Sequence, residues 1–304
     1  MASQTRLPLD LEREVFTTTA LIHPSTIANL LLVARRVFDW VAPLEYAFLR
    51  LDHELAHHRA RALKSALQNS TDAFPLASIL ASGVRHVAVE LDHWNQAEGG
   101  DTLDPARRIL SLCTQTTHLA ALGELVSPEL LPTLQSMQNL RVLAIYLDHL
   151  FGHTTHINLL HPAVKNITHL DIFDLLDAEL VGIVSAQLPL LPALTHLAFR
   201  PPVTGVPWSM ISHLLRKCQQ LKMLVLLVWP SQTLSREAPV GAQDSRFVMI
   251  KYRRWDEAVG AEDLPTFWKL GEDLVRLKRA GERPLTECWV ERTMRGSVWG
   301  KFLP

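Results

Sequence analysis

The chain has 304 residues, with 30 basic and 31 acidic side chains, a net charge of -1 and 48% hydrophobic residues. That balance argues against a nucleic-acid backbone or an anionic membrane as the main partner, and it supports a sizeable core in one large or two ordinary domains. Three scattered cysteines, Cys113, Cys218 and Cys288, suit neither a disulfide framework nor a zinc knuckle. Asp10 and Glu12 interrupt any apolar leader, so the expected location is cytoplasmic or nuclear.

Residues 1–52 read as helical. Apolar residues recur at Leu7, Leu11 and Val15 and again at Val37, Trp40, Val41 and Leu44, without strand alternation. Pro24, followed by Ser25 and Thr26, restarts a helix after His23. A helical linker over 53–80 then carries His53-Glu54-Leu55-Ala56-His57, a literal H-E-x-x-H. On a helix its histidines share one face and could hold zinc, with Glu54 activating a water. The extended form of that motif needs glycine and histidine where Ala60 and Leu63 stand, and no segment supplies a third ligand. The competing reading is a solvated helix.

Over 81–258 a spaced leucine frame takes over. Val87, Leu119, Leu143, Leu170, Leu197 and Leu224 stand 32, 24, 27, 27 and 27 residues apart, in or near the leucine-rich-repeat range. Each anchor, with the positions six and three before it and two after, is apolar in 23 of 24 places against 48% for the whole chain, so the frame is a repeat. L-x-x-L-x-L writes one short strand per unit with alternate residues turned inward, and stacked units bury a core that none buries alone. Helices return the chain. Ser127 is expected to cap one with Leu130, Leu134 and Met137 on its inner side; Asp177 and Glu179 begin another with Leu180, Ile183, Val184 and Leu188; Pro207 opens a third with Trp208, Ile211, Leu215 and Cys218 on one face. The uncharged run Leu180 to Phe199 is split by Pro189 and Pro192 into helix and strand, which argues against a membrane span. A weaker seventh unit falls at Phe247 to Lys251. The usual Asn or Cys ladder is mostly absent, so the units are degenerate.

Residues flanking each anchor are expected on the concave surface. His86, His118, His169 and His196 form a solvent-facing column there, interrupted by Val142. Glu90, Tyr146, Asp171, Phe173 and Arg200 join them, a mixture that suits a protein or peptide partner better than a catalytic pocket. A histidine-rich stretch with His149, His153, His156 and His161 reads as a polar rim loop or, alternatively, a metal site. Polar loops over Asp92 to Pro105 and Pro230 to Asp244 mark boundaries. Over 259–283 a helix running from Asp263 toward Gly281 is expected to cap the open end of the stack, its Lys269, Arg276, Lys278, Arg279 and Arg283 forming a solvated basic face. Residues 284–304 form an irregular tail with no legible period. The fold class is thus α/β: a degenerate leucine-rich-repeat solenoid, short parallel strands alternating with helices, behind a helical cap.

In that cap Leu7-Pro8 opens the first helix, Leu11 and Val15-Phe16 continue it, Leu31-Leu32-Val33 stands in the middle, and Arg36, Phe38, Trp40, Leu44 and Tyr46 close the segment. This order resembles the F-box, although the stretch between Thr17 and Leu30 departs from its compact spacing. From Leu7 to about Glu282 the chain resembles the F-box-like leucine-rich-repeat proteins of basidiomycete fungi. The resemblance implies a substrate-recognition subunit of SCF ubiquitin ligases: Leu7, Pro8, Leu11, Val15, Phe16, Leu32, Val33 and Trp40 would dock on the Skp subunit, the concave face would hold a substrate protein, and no cofactor or metal would be needed. The residues alone leave two alternatives, a repeat-built binding module with no ubiquitin connection and a zinc metallohydrolase using the His53–His57 motif.

Overall fold

A computed structural model describes residues 7–51, 76–91, 103–175, 178–202, 206, 208–229, 235, 237–251, 254–260 and 266–290. The His53–His57 motif, most of the 92–105 loop, Pro207, Asp263 and Trp299 lie outside the described residues. Helices α1 (Leu9–Ile22), α2 (Ile27–Leu30) and α3 (Arg35–Glu45) come first, followed by β1 (Phe48–Leu51). Helices and strands then alternate: α4 (Leu76–Gly83), β2 (His86–Leu91), α5 (Leu103–Leu112), β3 (His118–Gly123), α6 (Leu131–Ser136), β4 (Val142–Ile145), α7 (Leu147–Phe151), β5 (His169–Leu175), α8 (Ala178–Gln187), β6 (His196–Arg200), α9 (Trp208–Lys217), β7 (Met223–Val228), β8 (Phe247–Lys251), α10 (Phe267–Arg279) and β9 (Trp289–Val290).

Among the described residues nine strands form one all-parallel sheet in sequence order, a repeat-like α/β arrangement compatible with a solenoid. The anchors fall in register: Val87 pairs with Leu119, Leu119 with Leu143, then Leu170, Leu197 and Leu224 in turn. They bury one continuous core with Val89, Ala121, Ile145, Ile172, Phe199 and the inner faces of the helices. Strands β2 to β7 begin with the same hydrogen-bonding device. The carbonyl of Ala47 accepts from the amides of Arg85 and His86, that of Arg85 from Thr117 and His118, that of Thr117 from Arg141 and Val142, and so on through Thr168 and Thr195 to Lys222 and Met223. A fixed lateral step between units follows from this shared bond, and it holds even where the units differ in length.

Several expectations change. The sheet extends one strand beyond the leucine frame at each end: β1 pairs with β2, and Trp289–Val290, expected in the irregular tail, pairs with β8. Ser127 makes no capping bond; it precedes a 3-10 turn, Pro128–Leu130, and its hydroxyl takes a bond from Arg107 instead. Helix α10 does not close the end of the stack. It lies across the outer face of the sheet, and Gly271 permits the approach, since a Cβ there would come within 2.5 Å of Met223 Sδ. Nor is its basic row simply solvated. Lys278 is buried and donates to the Phe247 carbonyl at 2.7 Å, Arg279 reaches the Lys222 carbonyl, and Arg283 pairs with Glu287.

The N-terminal helices carry a small core of their own, Ala20, Ile27, Val37 and Val41, with Phe16, Leu30, Trp40 and Leu44 packed against it. Arg36 grips the Glu12 carboxylate with two nitrogens, fixing α3 to α1. The group is joined to the repeat body where α4 meets α3: a Cβ on Gly83 would collide with the Pro43 carbonyl.

Candidate functional site

Two surfaces stand out. On the N-terminal helices Leu7, Pro8, Leu11, Val15, Leu32 and Val33 are exposed, and so are Leu9, Leu21 and Ile22. Leu11, Val15 and Ile22 fall on one stripe of α1, opposite Phe16 and Ala20, which face the local core. Of the residues expected to dock on a partner, only Phe16 and Trp40 are committed to internal packing. Helix α1 therefore has two apolar sides, one satisfied within the chain and one open.

The other surface is the outer face of the sheet, and it is not an open column. Asp171, Phe173, His196 and Arg200 are buried, whereas His86, Glu90, Tyr146 and His169 are partly exposed. The cover is the chain's own C-terminal part: the segment 254–260, with a 3-10 turn over Trp255–Val259, crosses the first strands, and α10 covers the last. A signal of this second buried layer stood in the sequence. The position after the anchor reads Ala88, Ala120, Ala144, Ala198, Val225 and Val248 on six of seven units, Asp171 being the exception, and is thus apolar where a half-solvated sheet would be polar.

The Thr-His-Leu repeats have a specific reason. Thr117, Thr168 and Thr195 each place the hydroxyl 3.1 to 3.2 Å from the carbonyl of the preceding unit and 2.8 to 2.9 Å from Nδ1 of the histidine that follows. A hydroxyl has one proton, so with the carbonyl accepting it, Nδ1–H of His118 and His169 donates back to Oγ1. His196 differs. Its Nε2 faces the Glu272 carboxylate of α10 at 3.3 Å, which calls for a proton on Nε2 and leaves Nδ1 to accept from Thr195. The rings stack in pairs across neighbouring strands, His86 on His118 at 4.2 Å and His169 on His196 at 4.0 Å, both nearly parallel, and Trp268 of α10 sets its ring edge-on to the second pair. Burial pushes His118 down to about 4, His169 to about 3 and His196 to about 4, helped at His118 and His169 by the neighbouring histidine. His118, His169 and His196 are therefore neutral at physiological pH, and the stacked rings serve as flat, polar-edged packing units.

Charged groups on this face are matched inside the chain. Arg200 binds Asp171 at 2.9 and 3.4 Å and lies 4.5 Å over the Phe173 ring, whose edge meets Tyr146. Burial holds the Asp171 carboxyl above its ordinary range despite the pull of Arg200. Asp174, on the next inward position, accepts the Leu147 and Asp148 amides at the start of α7 and is raised to about 7 by burial and by the nearby Asp148 carboxyl.

In the histidine-rich stretch, His149 stacks on Tyr146, His153 Nδ1 accepts the Thr155 amide, and His161 Nδ1 accepts the Ala163 amide. His153 and His156 sit with ring centres 5.9 Å apart. These rings are turn-making groups, and among the described residues no three His, Cys, Asp or Glu side chains gather as metal ligands. Burial raises the thiols of Cys113 to about 12 and of Cys218 and Cys288 to about 11, which keeps them protonated and unreactive. No described helix is long and apolar enough to cross a membrane. No protein-family model matches the chain, and no curated protein matches it significantly.

Proposed function

We propose that the chain is a non-catalytic protein-interaction adaptor, in which F-box-like N-terminal helices dock on the Skp subunit of an SCF ubiquitin ligase and a leucine-rich-repeat body holds a substrate protein. One observation carries the reading. Of 14 large hydrophobic residues exposed among the described residues, eight lie between Leu7 and Val33, on three short helices that already have their own core. Exposed apolar surface concentrated in this way marks an interaction site, and an amphipathic helix with an open stripe suits an apolar groove. Catalysis would take place on the ligase, with this chain supplying proximity and orientation.

The test is a pull-down of the purified chain with the Skp subunit, beside a Leu11→Asp, Val15→Asp variant. Both side chains are exposed, so the fold survives the change, whereas Phe16 is unsuitable because it packs inward. Binding by the intact chain and none by the variant is expected. No binding by the intact, folded chain would refute the ligase connection and leave a binding module whose N-terminal helices serve another partner.

A further inference from the structure

The cover over the outer face is made of two unlike parts. Helix α10 is held by large apolar side chains, Phe267, Trp268, Leu274 and Val275, together with the buried Lys278 bond, and belongs to the permanent core of that face. The segment in front of it shares that apolar cluster through Ala258, Val259 and Trp255, but its side chains there are mostly small and polar handles add to its hold. Its floor is Ala88, Ala120 and Ala144, register neighbours on β2, β3 and β4 with no side chain beyond Cβ and no solvent exposure. They form a shallow trough. Four polar groups hold the segment: around the trough Arg50 meets the Asp256 carboxylate at 3.2 Å, the Glu90 carboxylate accepts the Trp255 indole N–H at 2.8 Å, and His86 Nδ1 lies 2.6 Å from the Val259 carbonyl, to which it donates, while from α10 the Trp268 indole N–H donates to the Ala258 carbonyl at 3.1 Å. Asp256 is wholly buried, braced on its other side by Arg254 at 2.6 Å, while Ala258 and Val259 fill the trough. A five-residue stretch gripped by side-chain handles, outside the strand ladder, is how a peptide ligand is held.

We infer that the trough over β2, β3 and β4 is a peptide-binding surface occupied in cis by Trp255–Val259, and that in trans it takes a protein segment of the same chemistry: an aromatic residue followed by a carboxylate and then small apolar residues. The inference rests on reading the repeat body as the part that holds a protein. It adds which region of that body is used and what a partner must present. Complementarity sets the ligand class. The arginine requires an acid, the Glu90 carboxylate requires an N–H donor on an aromatic, and the alanine floor excludes bulky residues after them. A partner gains the surface by displacing the internal segment, so the chain's own ligand raises the affinity a partner needs and rejects weak competitors.

The experiment uses a fluorescent synthetic peptide, Arg-Trp-Asp-Glu-Ala-Val-Gly, copied from residues 254–260, titrated against the full chain and against a full-length Trp255→Ala, Asp256→Ala variant in which the internal handles are cut. The variant is expected to bind the peptide at least tenfold more tightly than the intact chain, and adding Arg50→Ala is expected to abolish that gain. A folded variant that binds no better than the intact chain overturns the inference. So does a variant that fails to fold, because the segment would then be indispensable to the body. Hydrogen exchange on the intact chain supplies a second reading. Amides of 256–260 are expected to open at least a hundredfold more often than those of β2 to β4, and one common opening rate would also overturn the inference. Neither arm involves the Skp subunit or the N-terminal helices, so failure here leaves the docking reading intact, and a failed pull-down leaves the trough standing.

Discussion

Replacing Arg200 by methionine isolates a buried electrostatic contact. The change keeps most of the side chain's bulk against Phe173 and removes the guanidinium that meets Asp171 at 2.9 and 3.4 Å and the Ile172 carbonyl at 3.1 Å. Asp171 has no solvent exposure, so water cannot replace the cation. Breaking a buried pair from one side costs about 3–5 kcal/mol. The carboxyl then has one escape, to take a proton, and burial already biases it that way. In the variant the folded state would hold a proton that the unfolded chain, with an ordinary carboxyl near 3.9, has released. Stability then falls by about 1.4 kcal/mol for each unit of rising pH while that proton is retained. In the intact chain Arg200 holds the same carboxyl lower, so the gap between the two proteins widens as pH rises. Urea unfolding followed by circular dichroism at pH 5, 6, 7 and 8 measures this. A loss below about 1 kcal/mol at every pH, or a loss that does not change with pH, would refute the reasoning. An Asp171→Leu, Arg200→Met double variant is expected to recover most of the loss, since a buried pair and its apolar replacement are often close in stability.

Other outcomes follow from the same geometry. His118, His169 and His196 have folded pKa values of about 3 to 4 against about 6.5 in the unfolded chain, so the stability they carry is complete above pH 6.5 and is lost as pH falls through that window. Allowing for their partial exposure, roughly 1 kcal/mol per ring is expected to go between pH 7 and pH 5; a His169→Gln, His196→Gln variant with undiminished acid sensitivity would contradict the assignment. Gly271→Val is expected to lower stability by about 1–3 kcal/mol by pushing α10 off Met223 and Val248. Gly182→Ala in α8, where an added Cβ meets nothing within 4 Å, is expected to raise it by about 0.5–1 kcal/mol, and thermal melts that failed to separate the two would count against this packing. Val15→Glu on the exposed side of α1 is expected to leave the urea midpoint unchanged within about 0.5 kcal/mol while weakening adaptor docking.

The leucine frame made the middle strands legible because every unit repeats the same inward positions, and register depends on those positions alone. At the ends that frame fails. In β1 the inward residues are Leu49 and Leu51, and Leu49, the register partner of the anchor Val87, stands 38 residues before it, so no period announces them. Strand β9 is two residues long and offers no alternation to read. The histidine column was legible as a column and misread as solvent-facing, because burial of its face depends on segments more than 50 residues away that carry no repeat of their own. The exposed side of α1 is the opposite case. Its apolar recurrence at Leu7, Leu11 and Val15 could be seen in the sequence, but only the structure shows that Phe16 and Ala20 supply the inward side, that Ile22 extends the stripe, and that the stripe is uncovered.

The bracing segment changes how such a chain must fold. A stack of repeats ordinarily needs only neighbour contacts, so its contact order is low and it can nucleate anywhere. Here His86 waits for Val259, 173 residues later, and Glu90 for Trp255, 165 residues later. Closing a loop of that length costs about 1.6 kcal/mol more than closing one 27-residue unit, and the cost falls on the last step. During synthesis, Val259 leaves the ribosome roughly 10–30 s after β2 is complete, and through that interval the alanine trough has no internal occupant. The nascent chain thus passes through a stage in which its outer face is bare, and the C-terminal residues act as the chain's own late-arriving chaperone for that face.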